Sequence, residues 1–326
     1  MKRKIALVTG GYSGEAVISY KSAETVSANI NREKYEVYYI DVNPTGWFYI
    51  DESLHKYPID KSDFSIRIND TVIHFDAVLM CLHGTPGEDG KLQGYFDMLN
   101  IPYSTCNAAS SALTFNKRYT VAVAAFAGIH VAKSVHLFKE ETHEVNAILQ
   151  QLKLPVFVKP NNGGSSLGMS KVSEATELEA AIEKAFNVDN QVLIEEFISG
   201  REFTIGVYKS NGEIVSLPMT EIITGNEFFD YEAKYHGKSE EVTPAKVDQF
   251  IADQIASEAK KAYQVFNCNG VVRIDFIYNE TVHQPYMLEI NTVPGQSSAS
   301  IIPQQVIAKG LTLEAFYSSL IEGCFL

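Results

Sequence analysis

Cysteine is scarce in this chain: Cys81, Cys106, Cys268 and Cys324 are the only four in 326 residues, and none falls in a CxxC pair. That scarcity excludes both the ligand spacing of a structural zinc site and the framework of a disulfide-stapled secreted domain, and it fits a reducing cytoplasm. Positive charge is also in deficit, with 27 lysines and arginines against 40 aspartates and glutamates, a formal charge of -13. A chain of that sign repels a phosphate backbone, so nucleic acid is not an expected partner, and any bound phosphate must be held by specific lysines. No apolar run approaches a membrane span, and the run Ile5 to Val8 behind the basic start is too short for a signal peptide. A soluble intracellular protein is expected. The dinucleotide fingerprint is missing too, because GGYSGE at 10–15 has Tyr12 where G-x-G-x-x-G needs glycine.

What is present is ordinary globular composition, 45% hydrophobic and 21% charged, in a chain long enough for roughly two or three domains. The chemistry is densest at 271–295, VVRIDFIYNETVHQPYMLEINTVPG. Side chains alternate faces along a strand, so Val272, Ile274 and Phe276 share one side and Arg273 and Asp275 the other. In the return strand Tyr286, Leu288 and Ile290 fall together, opposite Glu289 and Asn291. A hairpin through Asn279 to Pro285 therefore makes Arg273, Asp275, Glu289 and Asn291 converge. Two carboxylates and an amide oxygen suit a hard cation such as Mg²⁺, which usually shares itself with substrate phosphates. The alternation alone equally fits a hairpin with one solvated polar face.

Upstream, Ile5–Val8, a glycine turn, and a helix with Ala23, Val26, Ser27 and Ile30 on one face begin an α/β layer. Strands at Tyr35–Ile40 and Ala77–Leu82 continue it, which predicts a largely parallel sheet with ligands at the carboxyl ends of its strands. Glu15 sits in the first turn, where a carboxylate either favours the helix dipole or receives an ammonium. The third strand runs into HGTPGEDGKLQG at 83–94, a glycine-rich loop that sets His83 at a strand end. A helix-rich stretch containing Lys117 begins near Asn107. The segment LPVFVKPNNGGSSLGMSKV at 154–172 then reads as strand, glycine-serine loop and strand, a flap able to close over phosphates, with Lys159 entering it. It is not a Walker A loop, and a flexible hairpin tip is the plainer alternative. Thr176 and Glu179 have capping-box spacing for the next helix. The strand QVLIEEFISGREFTIGVY breaks at Ser199 and Gly200, which exposes backbone groups of Phe197 and Ile198 beside Glu195 and Glu202. Glu213–Ile222 reads as one more strand. The irregular segment TGNEFFDYEAKYHGKSEEVTP, with Lys234, has the character of a lid. Thr243 and Pro244 are expected to start a helix with Val247, Phe250, Ile251, Ala262 and Phe266 inward. The tail, with Leu313, Phe316, Tyr317, Leu320 and Ile321, packs as a helix.

Lysines at a glycine loop, an adenine-type hinge and a late Asp, Glu, Asn cluster, in that order, resemble the ATP-grasp fold. Over nearly its whole length, through GGYSGE, HGTPGEDGKLQG, VKPNNGGSSLGMSKV, DYEAKY, RIDF and LEINTVPGQSSASIIP, the chain resembles the D-alanine:D-alanine ligases. The resemblance implies an N-terminal doubly wound, Rossmann-like α/β domain (1–106) on the substrate side. Two α+β ATP-grasp subdomains follow, one central (107–203) and one C-terminal (204–326), the latter bearing the lid and metal site. It implies ATP-dependent joining of two D-alanines through a D-alanyl phosphate, for peptidoglycan precursors, by a cytoplasmic homodimer. Asp275, Glu289 and Asn291 are then the ligands of Mg²⁺ or Mn²⁺. Lys117, Lys159 and Lys234 hold the ATP phosphates, Glu195, Phe197 and Ile198 contact adenine, and Glu202 binds the ribose. Glu15 receives the first D-alanine's ammonium, with Ser165 and Tyr235 bonded to it and His83 beside that substrate. Arg273 and the backbone N–H of Gly295 form an oxyanion hole, and Ser300 takes the second carboxylate. One departure is that Glu15 is followed by Ala16, Val17, Ile18 and Ser19 where the family usually has E-x-[ED]-V-S.

Two other readings compete: a ligase making D-alanyl-D-lactate or D-alanyl-D-serine, against the first of which Tyr235 argues, and a non-catalytic ATP sensor, which should lack a metal ligand and does not. Glu289→Gln is expected to cut ATP turnover sharply while leaving the circular dichroism and unfolding midpoint of the chain unchanged. Undiminished turnover would remove Glu289 from the metal set.

Overall fold

The computed structural model describes residues 2–164, 167–224 and 239–326. Its first sheet starts as the apolar runs require, with β1 (Arg3–Gly10), α1 (Ala16–Asn29), β2 (Tyr35–Asn43) and β7 (Ala77–Met80). β1 pairs parallel with β2 on one side and β7 on the other, and its Ile5, Ala6, Leu7 and Val8 are fully buried, as a strand covered on both faces must be. The parallel region ends there, which corrects the expectation of a largely parallel layer. Strands β3 (Gly46–Ile50), β4 (Lys56–Asp60), β5 (Ser65–Ile68) and β6 (Thr71–Ile73) extend the sheet from β2 as an antiparallel meander. These strands are too short to show a period, and they are held by edge-to-face contacts among Trp47, Phe64, Phe75, Tyr95 and Phe96.

Between the first and second sheets, after α2 (Lys91–Leu99), the helix-rich stretch expected from about Asn107 is two helices. Asn107 caps α3 (Ala108–Phe115) by accepting from the Ser110 N–H, and Asn116 caps α4 (Lys117–Phe126) by accepting from the Tyr119 N–H. Because Asn116 is extended, Lys117 opens the second of these helices. The second sheet is antiparallel, in the order β10 (Ser170–Val172), β9 (Val156–Pro160), β11 (Gln191–Glu196), β8 (Ser134–Phe138). Helices α5 (Val145–Gln151) and α6 (Leu178–Phe186) close its core. The capping box lies at Glu174 and Glu177, in the short turn before α6, and not at Thr176 and Glu179.

At Ser199 and Gly200 the chain passes from the second sheet to the third, so the break seen in the sequence is a crossover. A β-carbon on Gly200 would lie 2.1 Å from the Tyr278 carbonyl oxygen, which leaves glycine as the only fit. The third sheet runs β15 (Ser239–Val242), β14 (Thr220–Thr224), β12 (Arg201–Ser210), β16 (Val271–Asn279), β17 (Gln284–Asn291), with β13 (Glu213–Ser216) on β12. The stretch expected as one strand from Glu213 is therefore two. Helix α7 (Gln249–Val265) covers this sheet with Ile255, Ala259, Ala262 and Tyr263. It starts after Asp248, later than expected, and Phe250 is 65% exposed instead of inward.

After α8 (Ile301–Ala308), the last helix, α9 (Leu313–Gly323), returns to the first sheet. Phe316, Tyr317, Leu320 and Ile321 pack with Ile5, Leu7, Ala77 and Leu79, and with Tyr208 and Val271 of the third sheet, in one continuous core. Arg3 pairs with Glu322, which also accepts from the Tyr35 hydroxyl at 2.6 Å. Among the described residues no helix is long and apolar enough to cross a membrane. Phe316→Ala should cost about 3–5 kcal/mol in urea unfolding, with fluorescence and circular dichroism transitions still coincident, since the first and third sheets share this core. A loss under about 1 kcal/mol would show that α9 is an appendage.

Candidate functional site

Antiparallel pairing sets Asp275 opposite Glu289 and Arg273 opposite Asn291, the convergence expected from the sequence. The return strand departs from strict alternation. The register shifts after Asp275, and Phe276 pairs with Met287, so Leu288 is an inserted bulge residue. In consequence Met287 and Ile290 enter the core, Leu288 and Glu289 both face one cavity, and Tyr286 and Leu288 do not take the core positions expected of them.

Asp275 is held from every side. Arg273 grips it with Nε to Oδ1 at 2.9 Å and Nη2 to Oδ2 at 2.8 Å, the Thr204 hydroxyl donates to Oδ1, and Asn291 Nδ2 donates to Oδ2 at 3.4 Å. Burial works against the charge of Arg273, but Asp275, and beyond it Glu289 and Glu88, hold its pKa above the ordinary value.

Around this floor lies a cavity of about 600 Å³, lined by ten of the residues singled out in the sequence: Glu15, His83, Lys117, Glu202, Arg273, Asp275, Glu289, Asn291, Gly295 and Ser300. Lys117, placed by the Asn116 cap, donates from Nζ to the Gly163 carbonyl at 2.7 Å and so ties α4 to the glycine loop. Lys159 lies on the adjoining second sheet and pairs with Glu195 at 2.5 Å. Burial depresses the pKa of Lys159, but Glu195, then Glu289 and Glu202, outweigh it and hold the ammonium protonated. Phe197 donates its N–H to the Pro155 carbonyl at 3.1 Å, so that donor is spent and its carbonyl is what remains beside Ile198. Ser165, Lys234 and Tyr235 lie outside the described residues.

Two glycines make room for the Glu15 carboxylate. A β-carbon on Gly84 would lie 2.5 Å from one of its oxygens, and one on Gly164 would lie 2.9 Å from the other. Glu15 is thus clasped between the loop after the third parallel strand and the glycine-serine loop. Val17, in the place of the family's second acid, is 59% exposed; a carboxylate there would face solvent, so its absence does not disturb the loop.

His83 is buried and its tautomer is fixed. Nδ1 lies 2.6 Å from the Val293 carbonyl and must carry the proton, so Nε2 accepts from the Ser22 hydroxyl at 2.9 Å, and Ser22 Oγ in turn accepts from the Gln296 N–H at 3.0 Å. Burial, with Arg273 nearby, pushes the pKa of His83 down to about 4 in spite of the Val293 carbonyl, so the ring is neutral. Gly295 lies over Ser300, the N-cap of α8, and a β-carbon there would come within 2.8 Å of Ser300 Oγ. Ser300 Oγ accepts from the Ser297 N–H at 3.1 Å.

Two family models match the chain: the D-Ala D-Ala ligase N-terminus over residues 4–106 and the D-Ala D-Ala ligase C-terminus over residues 116–322. A D-alanine--D-alanine ligase of Parabacteroides distasonis is 45% identical over 99% of this chain and 97% of its own length. The chain belongs to the D-alanine–D-alanine ligase family. Among solved structures, the VanG D-Ala:D-Ser ligase of Enterococcus faecalis aligns with a TM-score of 0.90 at 33% identity, over 99% of this chain and 100% of that one. The D-alanine--D-alanine ligase of Bacillus anthracis complexed with ATP aligns at 0.79 and 27%, over 99% and 97%. These fix the fold as ATP-grasp.

In this ligase-family chain, sequence reasoning passed over Ser22, Thr204 and Glu88. Ser22 was legible, since Glu15, Ser19 and Ser22 recur at helical spacing on the inward face of α1. Glu88 is one of the two acids in HGTPGEDG. It accepts from the Gly84 N–H at 2.8 Å and the Val293 N–H at 3.2 Å. Burial, followed by the Glu15 carboxylate, pushes its pKa up to about 8. A folded-state pKa above the unfolded one means the folded state holds the extra proton. The stability that Glu88 contributes is therefore full below about pH 4.5 and is lost as pH rises towards about 8. Glu88→Gln should remove this loss, so its urea midpoint should gain on the parent's as pH rises from 5 to 9, by up to about 4 kcal/mol. Parallel pH profiles for the two proteins would show that Glu88 is ionised throughout.

Proposed function

We propose that this chain joins two D-alanines into D-alanyl-D-alanine at the expense of ATP, supplying peptidoglycan precursors from the cytoplasm as a homodimer. The observation that carries the reading is the shared cavity in which Glu15, Arg273, Asp275, Glu289, Asn291, Gly295 and Ser300 meet, in a chain of this family. The proposed division of labour follows the segments 1–106, 107–203 and 204–326, which supply the substrate side, the nucleotide side, and the lid with the metal site.

The chemical difficulty is that a carboxylate is a poor electrophile. The first D-alanine's carboxylate attacks the γ-phosphorus of ATP, giving an acyl phosphate and releasing ADP; the second D-alanine's free amine then attacks the acyl carbonyl, and phosphate and the amine's proton leave. Lys117 and Lys159, with Lys234 from the lid, hold the phosphates. Glu195, the Phe197 carbonyl and Ile198 meet adenine, and Glu202 meets the ribose. Glu15, held between Gly84 and Gly164, receives the first ammonium; Ser165 and Tyr235 close over it, and neutral His83 keeps the neighbouring wall uncharged. Arg273 and the Gly295 N–H stabilise the tetrahedral oxyanion, a contribution of about 10²- to 10³-fold per donor in comparable sites. Ser300 takes the second carboxylate.

The donor set for a metal fits Mg²⁺ or Mn²⁺, with two carboxylates facing each other across β16 and β17 and an amide that presents Oδ1 once its terminal group is turned over. Bound there, the cation would neutralise charge on the transferring phosphoryl group. Among the described residues no three His, Cys, Asp or Glu side chains form a metal cluster.

The deciding assay is ADP release against a panel of D- and L-amino acids and D-lactate. ADP release should appear with D-alanine alone and be accompanied by D-alanyl-D-alanine. A preference for D-serine or D-lactate in the second position would replace the proposed product, and ADP release without any amino acid would overturn the ligase reading.

A further inference from the structure

We infer that Glu241 receives the ammonium of the second D-amino acid, and so makes this site select an amine over a hydroxyl as the second substrate. The inference rests on the ligase reading above and on a part of the cavity which that reading leaves unassigned.

Glu241 stands in β15 opposite Ile222 of β14, which in turn stands opposite Glu202 of β12. All three line the same cavity. The Glu241 carboxylate is aimed by α8: Gln304 Nε2 donates to Glu241 Oε2 at 3.3 Å and to the Ala299 carbonyl at 3.0 Å. Gln304 lies one turn beyond Ser300, at the end of the helix proposed to receive the second substrate's carboxylate. An α-amino acid carries both charges on one carbon, so receptors for them must be neighbours, and Glu241 is the carboxylate that this helix binds, through Gln304, one turn from Ser300. Among the described residues its hydrogen-bond partner is a neutral amide, which orients it without neutralising it. Partial burial strengthens any charge-assisted bond it makes, and burial also raises its pKa, while Gln304 and Arg273 oppose the rise. A hydroxy acid offers Glu241 no cation, so the carboxylate contributes to binding only when the nucleophile arrives as an ammonium.

The test is Glu241→Gln, which keeps the shape and an acceptor for Gln304. D-alanine and D-lactate are compared as second substrates under saturating ATP and first D-alanine. The KM for the second D-alanine should rise at least about tenfold, with use of D-lactate unchanged, so the depsipeptide-to-dipeptide ratio rises by the same factor. Glu241→Asp, which retains the charge, should recover part of the preference. Equal losses for both nucleophiles would assign Glu241 a structural role, and an unchanged ratio would remove it from the site; either result overturns the inference. Should Glu241→Gln fail to fold, Gln304→Met, which releases the carboxylate, must move the ratio in the same direction. If the parent enzyme makes no D-alanyl-D-alanine, the ligase reading itself has failed. If it does and the ratio does not move, only the assignment of Glu241 has.

Discussion

The guanidinium of Arg273 is the charge on which the site's geometry turns. It is mostly taken out of water on β16 of the third sheet, and a cation so placed is tolerated only where carboxylates surround it with good geometry. The nearest, Asp275, lies two residues along the same strand and is gripped at two atoms. Glu289, across the hairpin, contributes at longer range. This lets a chain of charge -13 crowd acids around one cavity: the cation offsets their mutual repulsion, and the acids in turn hold it in place.

The same region joins the lobes. The Val293 backbone donates its N–H to Glu88 and accepts at its carbonyl from His83, and three residues on, the Gln296 N–H donates to Ser22. Three side chains from the first hundred residues thus clamp the segment that follows β17, with neither His83 nor Glu88 free to move without orphaning a buried backbone group. Neutral His83 and a proton-retaining Glu88 are the low-charge way to make those bonds beneath a cavity already lined by Glu15, Asp275 and Glu289.

The polar convergence at 271–291 was legible because alternation on a paired strand is a two-residue rule, and β16 obeys it. It failed on β17 at Leu288, since a bulge is an insertion in pairing and leaves no mark on one strand read alone. The antiparallel extension of the first sheet was missed because its strands, of three to five residues, are shorter than the window in which a period can be seen. Helix starts erred where a Pro suggested an N-terminus at Thr243–Pro244 and the cap is Asp248. Of the site, Glu15, Lys117 and the hairpin residues were found through motifs with strong local chemistry. Thr204 and Glu88 were not, because their significance lies in partners 71 and 205 residues away in the chain.

The site divides into a floor and a rim built on different principles. The floor, Asp275, Glu289, Arg273 and Asn291, sits on two paired strands, β16 with ladders on both sides and β17 at the sheet's edge in register with it, so its positions are set by backbone pairing. The rim is made of glycine-bearing loops, at Gly84 and Gly163–Gly164, and of the α4 start that Lys117 ties to the latter. Their glycines are required by space at Gly84 and Gly164, where a methyl group would strike the Glu15 carboxylate, and by a φ of +103° at Gly163. A reactive acyl phosphate needs both parts: rigid donors that do not reorganise as charge develops, and a rim whose small residues let backbone close over the substrate and exclude water. Glu15 belongs to both, since it starts a helix packed on the first sheet yet lies against the glycine loops of the rim.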